Sequence, residues 1–202
     1  MTATEPRVEP VPIERWSIRA REMLLGRVRR ADKYLSAEPG TVRMPNILGM
    51  LGHHEELGAA WLAYNGVLLD RPLLEPRLRE LAVLRVAWRT RSAYEWGQHV
   101  RLARELGITE EQIEDVACGE TAGWPQLEQL VVAATDELVD RYRVDDPTWA
   151  GLTRYLDTRR LLELLFVVGS YLCLALVCNS VDLRPDPDSD TGVPPAVPDW
   201  EE

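Results

Sequence analysis

Cysteine is scarce in this sequence, and what there is has no pattern. Cys118, Cys173 and Cys178 are the whole complement in 202 residues. The number is odd, and no CxxC or Cys/His spacing accompanies it, which excludes a zinc ribbon and a disulfide framework. Cys173 and Cys178 stand five apart in a continuous helical pattern, a spacing that does not place them side by side. Free, buried thiols in a reducing compartment are expected. Clustered basic residues are missing as well. There are 33 Asp and Glu against 23 Lys and Arg, for a net charge of −10. Seven of those acids and one arginine fall between Asp182 and Glu202. A nucleic-acid footprint needs concentrated Lys and Arg, so that class of partner is excluded. The start, MTATEPRVEPVP, has no apolar leader, and a cytoplasmic protein is expected. One long apolar run exists, Leu161 to Cys178, but it holds Glu163, Gly169 and Ser170. It is expected to be a core or subunit-interface helix, with no membrane partner.

Strand alternation with hairpin turns is also missing, and helical periodicity takes its place. Apolar residues at Trp16, Ala20, Met23, Leu24 and Val28 predict one helix over about 13–35, stopped at Glu38-Pro39-Gly40. A short helix follows to Leu51, then another from His53-His54-Glu55-Glu56 carrying Leu57, Trp61 and Leu68. Pro76 suits a first helical turn, and that helix should run to about Trp88. Ser92 and Glu95 match a capping box opening a helix to Leu106, and Thr109 with Gln112 matches a second, ending at Gly119. Further helices are predicted over about 125–142, 146–156 and 158–181. The fold class is all-α, with eight to ten helices and a faint duplication in which Glu80 of ELAVL echoes Glu163 of ELLFV. Residues 1–12 read as a loose arm, 13–181 as a single helical domain, and 182–202 as a disordered tail of acids and prolines.

The chemistry concentrates in Glu80–His99, ELAVLRVAWRTRSAYEWGQH. Ser92, Glu95, Trp96 and His99 stand at i, i+3, i+4 and i+7 and share one helical face. His99 is a candidate general acid, with Glu95 one turn away to orient its ring. Glu80 opens the preceding helix, and either faces solvent or turns inward, where burial would raise its pKa. Ser92 is an N-cap that could also help bind an anion. Trp88, Tyr94 and Trp96 are core or pocket wall. Arg85 could meet a substrate carboxylate or a neighbouring acid. A bland reading competes: the capping box alone explains Ser92 and Glu95, and the chain is then a non-catalytic helical scaffold or binding protein.

The run RELAVLRVAWRTRSAYEWGQHVRLARELGITEEQIEDVACG resembles the carboxymuconolactone decarboxylase family, which includes the AhpD-like proteins. The AhpD-type motif is Glu, eleven residues, Cys, two, Cys, three, His. Here the frame holds Glu80, Ser92, Glu95 and His99, so both cysteines are replaced. The resemblance implies an AhpD-like fold over roughly 42–183 and a homo-oligomer, dimer, trimer or hexamer. Thiol peroxidase chemistry needs an attacking and a resolving thiol, which Ser92 and Glu95 cannot supply. What it then implies is the cysteine-less decarboxylase branch: cofactor-free acid–base chemistry, with no metal, on a small carboxylated or polyketide-like substrate. In that scheme His99, Glu80 and Glu95 are catalytic, and Ser92, Trp88, Tyr94, Trp96 and Arg85 bind substrate. A cyclase, isomerase or dehydratase could use the same groups.

Overall fold

The computed structural model describes residues 5–25, 27–28, 31–35, 43–187 and 200. They form ten α-helices and one short 3-10 turn, with no strand among them. They belong to two compact units, Met1–Arg71 with Ser180–Pro195, and Pro72–Asn179 with Ala196–Glu202.

The first unit opens with a 3-10 turn, Ile13–Arg15, followed by α1 (Ile18–Leu24), α2 (Ala31–Leu35), α3 (Asn46–Leu51) and α4 (Glu55–Asp70). The single helix expected over 13–35 is therefore three pieces. Ser17 is the reason for the first break: it is extended, and its hydroxyl accepts from the Ala20 amide as an N-cap. The apolar stripe was legible because each piece contributes to one core. Trp16, Ala20, Met23, Leu24 and Ala31 pack with Leu48, Leu51 and Leu62. The expected stop at Glu38-Pro39-Gly40 lies outside the described residues. Segments at both ends of the chain join this unit. The Val11 amide donates to the Gly49 carbonyl, and the Arg7 amide to that of Val181. Residues 182–187, read from composition as the start of a loose tail, are tied down too: Asp186 accepts from the Asn46 amide and Arg184 from its side chain. The remainder of that tail, save Trp200, lies outside the described residues.

The second unit is built on α5 (Pro76–Arg89), with α6 (Ala93–Glu105), α7 (Glu110–Cys118), α8 (Gln126–Arg141), α9 (Asp146–Leu152) and α10 (Thr158–Ser180). α5 packs against α6, α7 and α8. Leu81, Ala82, Val83, Leu84, Val86 and Ala87 are all fully buried and Arg85 is buried among them, so this stretch of α5 is enclosed on every side, as the centre of a helical core must be. Each fully buried Leu or Val contributes roughly 1.5–3 kcal/mol. Arginines on α5 fix its partner α8. Arg77 pairs with Glu128, Arg85 with Asp136, and Arg89 with Asp136 and Asp140. Three of these four pairs share a separation of 51 residues, which makes the two helices run in the same direction. Gly119, at φ 79, ends α7 in the left-handed region, and a Cβ there would meet the Arg85 guanidinium at 2.9 Å. α10 is long and apolar enough to cross a membrane by length and composition. One of its faces, including Glu163, Ser170, Tyr171 and Cys178, is buried.

Candidate functional site

α5 brings Glu80 into the interior one turn after its start, and α6 brings Ser92, Glu95 and His99. Glu80 and Glu95 are each 1% exposed, Ser92 0% and His99 7%. Glu80 and His99 meet: Glu80 Oε2 lies 2.6 Å from His99 Nδ1. The other oxygen, Oε1, accepts from Arg79 Nε at 3.0 Å. Burial alone would push the Glu80 carboxyl up, but His99 and then Arg79 outweigh it and leave the group below its ordinary value. From the sequence, Glu80 either faced solvent or turned inward with a pKa raised by burial, and the orienting of His99 fell to Glu95. Both expectations are corrected by the same contact. With Nδ1 as donor to an ionised Glu80, Nε2 is the ring atom left to handle a proton.

Glu95 has the opposite environment. Neither of its oxygens, nor the Ser92 hydroxyl, has a hydrogen-bond partner, and these are the only such buried side-chain atoms among the described residues. Burial pushes the Glu95 carboxyl up to about 8; the nearby Ser92 hydroxyl pulls the other way without making a regular hydrogen bond. Glu95 is thus a neutral acid at pH 7, whereas Glu80 is held ionised. Two carboxyls pushed apart in this way divide acid and base roles.

The capping-box reading of Ser92 and Glu95 fails at this point. Ser92 does occupy the N-cap position of α6, with extended backbone, but its side chain caps nothing. The contrast with α7 is internal to the molecule. Thr109 and Gln112 form the complete reciprocal box. The same four-residue pattern therefore caps one helix and supplies two buried, unsatisfied polar groups to the other.

α10 closes the cluster with residues the sequence argument missed. The Tyr171 ring stands edge-on to His99, centroids 4.8 Å apart. Burial, then the charges of Glu80 and Glu95, hold its phenol above the usual range, so Tyr171 lies near both carboxyls. Cys178 is raised likewise, by burial and then by Glu95. That is the reverse of an activated thiolate. Of the three free cysteines only Cys178 is buried; Cys118 and Cys173 are exposed, contrary to expectation. The available signal for Tyr171 and Cys178 was their polar atoms in a run otherwise almost wholly apolar.

Other candidate residues lie in different networks. Arg85 donates to both oxygens of Asp136 and to the Val116 and Ala117 carbonyls, which accounts for its guanidinium inside the core. Trp96 packs into the core cluster of α5, α6, α7 and α8, with Trp88 at its margin. Tyr94 is buried. Glu163, the echo of Glu80, accepts from the Leu73 and Leu74 amides and so holds the turn before α5. His53 and His54 lie in the first unit beside a depression of about 410 Å³ with Arg19, Glu55 and Glu56. There the His53 ring contacts the Glu9 carbonyl, and His54 caps α4. Among the described residues, no group of three His, Cys, Asp or Glu is arranged to hold a metal.

Residues 55–136 match the model of the carboxymuconolactone decarboxylase family. No curated protein matches the chain in sequence. Solved structures share its fold. The alkylhydroperoxidase AhpD core protein of Ralstonia eutropha JMP134, an uncharacterized peroxidase-related protein, superposes with a TM-score of 0.74 at 17% identity, over 94% of this chain and 98% of that one. A peroxidase-related protein from Silicibacter sp. TM1040 gives 0.65 at 18%, over 91% of each. A variant of the debrominase Bmp8, in complex with 2,3,4-tribromopyrrole, gives 0.67 at 14%, over 89% of this chain and 91% of that one. At these identities the likeness is one of fold.

Proposed function

We propose, from the premise that this chain belongs to the carboxymuconolactone decarboxylase family through residues 55–136, that it is a cofactor-free acid–base enzyme. The reaction is decarboxylation, or related enol and lactone chemistry, of a small unsaturated carboxylated ring. The observation that carries this reading is the pairing of a buried Glu80–His99 contact with an unpartnered Glu95 and Ser92 on the same helix as His99. Orphaned buried polar atoms cost about 1–3 kcal/mol each. A scaffold gains nothing from them, and an enzyme needs them to receive substrate.

In this scheme the C–C bond to the carboxylate breaks, CO2 leaves, and the electron pair passes into the conjugated lactone. Negative charge grows on the lactone oxygen. Glu95, neutral and therefore a donor, and the Ser92 hydroxyl stabilise that oxygen. His99 Nε2, charged by a proton from solvent, delivers it to the carbon left behind. Glu80 keeps the ring in the required tautomer and orientation. The unsaturated ring accepts the electron pair itself, so the scheme calls for no cofactor. Thiol peroxidase chemistry has no place here. Glu95 occupies one motif cysteine position and Ser92 the other, and Cys178 is a protonated thiol. The residue roles also suit an isomerisation, cyclisation or dehydration that passes through an enolate. We extend the proposal to a cytoplasmic homo-oligomer, with the exposed side of α10 around Leu162 and Val177 as a contact surface; light scattering in solution decides the subunit number.

The test is CO2 release from a panel of carboxylated unsaturated lactones by the wild type, His99→Gln and Glu95→Gln. Each variant should lose about 10²–10⁴-fold. Losses under tenfold in both, in folded protein with a turned-over substrate, overturn the assignment.

A further inference from the structure

Trp200 is the one aromatic residue between Asp182 and Glu202, a segment otherwise dominated by acids, prolines and small residues. Its indole lies against the second unit. The ring stands edge-on to Trp88, centroids 4.7 Å apart, and to Trp96, centroids 6.3 Å apart. Trp88 and Trp96 are themselves tilted against each other at 5.2 Å. All three join the core cluster of α5 to α8, with Trp88 and Trp200 only partly buried. Trp88 is on α5 and Trp96 on α6, the two helices that carry Glu80, Glu95 and His99. The side chain of Trp96 directly follows the orphaned Glu95 along the chain.

We infer that Trp88 and Trp96 form a recognition slot for a planar aromatic or conjugated group, and that Trp200 is its tethered occupant. Three points support a slot in place of ordinary packing. The occupant is the one aromatic ring in an acidic, proline-rich stretch. The contact is edge-to-face between aromatic rings, which is favourable beyond the area it covers and is available to any planar π system. The occupied rings also belong to α5 and α6, the helices that carry the proposed catalytic groups. The C-terminus then acts as an intramolecular competitor. A tethered group presents itself at roughly millimolar concentration. Against it, a free ring of comparable intrinsic affinity binds about 3- to 10-fold more weakly than to an empty slot.

The inference builds on the placement of Trp88 and Trp96 as walls in the proposed enzyme, but its test needs no turnover. Two full-length proteins are compared, the wild type and Trp200→Ala, with indole and a synthetic peptide spanning Val197–Glu202 as probes. Binding is read by calorimetry. The variant should bind the peptide and should bind indole about 3- to 10-fold more tightly than the wild type. The two probes should compete. The peptide carrying alanine in place of tryptophan should not bind, and Trp96→Ala added to Trp200→Ala should abolish both interactions. Equal indole affinity in wild type and Trp200→Ala overturns the inference. So does a peptide that binds regardless of its tryptophan. Loss of CO2 release in the Glu95 and His99 variants tests the catalytic reading separately, because neither residue touches the probes' contacts.

Discussion

Replacing Glu95 by glutamine should make the protein more stable, and increasingly so as pH rises. The carboxyl sits at about 8 in the folded state against an ordinary 4.5. A group whose folded pKa is above its unfolded one contributes stability that is complete below the unfolded value. That stability is lost as pH rises between the two, because the unfolded chain gives up its proton first. The window here is about 4.5 to 8. At about 1.4 kcal/mol per pH unit, the wild type should lose roughly 3–4 kcal/mol between pH 5 and pH 8 through this residue alone. Glutamine has no proton to lose. Its buried amide carries a desolvation cost similar to that of the neutral acid, and that cost does not depend on pH. The difference between the two proteins therefore isolates Glu95, since every other titrating group is common to both. The assay is urea unfolding of wild type and Glu95→Gln at pH 5, 6, 7 and 8. The gap should be small at pH 5 and widen in favour of the variant, reaching roughly 3–4 kcal/mol at pH 8. For a chain of this length that corresponds to a melting shift of roughly 6–15 °C. Activity should fall in the same variant, since a stabilising change at a functional group commonly costs function. A gap that is constant with pH, or that narrows, refutes the argument that Glu95 is held neutral by burial.

Three further outcomes follow from the geometry. Ser92→Ala should leave thermal stability unchanged or slightly raised, whereas Thr109→Ala should cost about 1 kcal/mol, because only the second hydroxyl caps a helix; equal losses restore the capping reading of Ser92. Glu80→Gln should destabilise by about 3–5 kcal/mol near neutral pH, since it removes a buried charge that His99 and Arg79 both use. Because Glu80 is held below its ordinary value, that loss should shrink as pH falls and the wild-type carboxyl is protonated, and urea titrations at pH 4 and pH 7 check it. Alkylation of the native protein by iodoacetamide, followed by mass spectrometry, should label Cys118 within minutes and leave Cys178 unmodified until denaturant is added.

Much of the architecture could be read from the chain. Pro76 at the start of α5, Gly119 at the end of α7 and the Thr109–Gln112 box are local signals, and local signals suffice where backbone hydrogen bonding and dihedral preference decide the outcome. The shared face of Ser92, Glu95 and His99 was legible for the same reason, because spacing on a helix is a property of the helix, while Glu80, on the preceding helix, joined their frame through the family motif. The break at Ser17 was less legible, since an apolar stripe continues across it and conceals the cap. Residues of α10 were the hardest, because a tyrosine and a cysteine in an apolar run resemble core residues until a second helix is laid against them.

The sequence by itself determined which groups are available: two carboxyls, one imidazole and one hydroxyl where related motifs carry thiols, all on two consecutive helices. It could not determine their states. Glu80 and Glu95 are the same residue type, and the chain alone left Glu80 free to face solvent or the interior. The tertiary structure gave Glu80 two partners, His99 and Arg79, and Glu95 none. That difference in surroundings holds one ionised and the other neutral, and it decides which may take a proton and which may give one. Whether three polar residues at helical spacing are a cap or a site is settled by which neighbours from α5 and α10 reach them, and spacing along one helix carries no information about those neighbours.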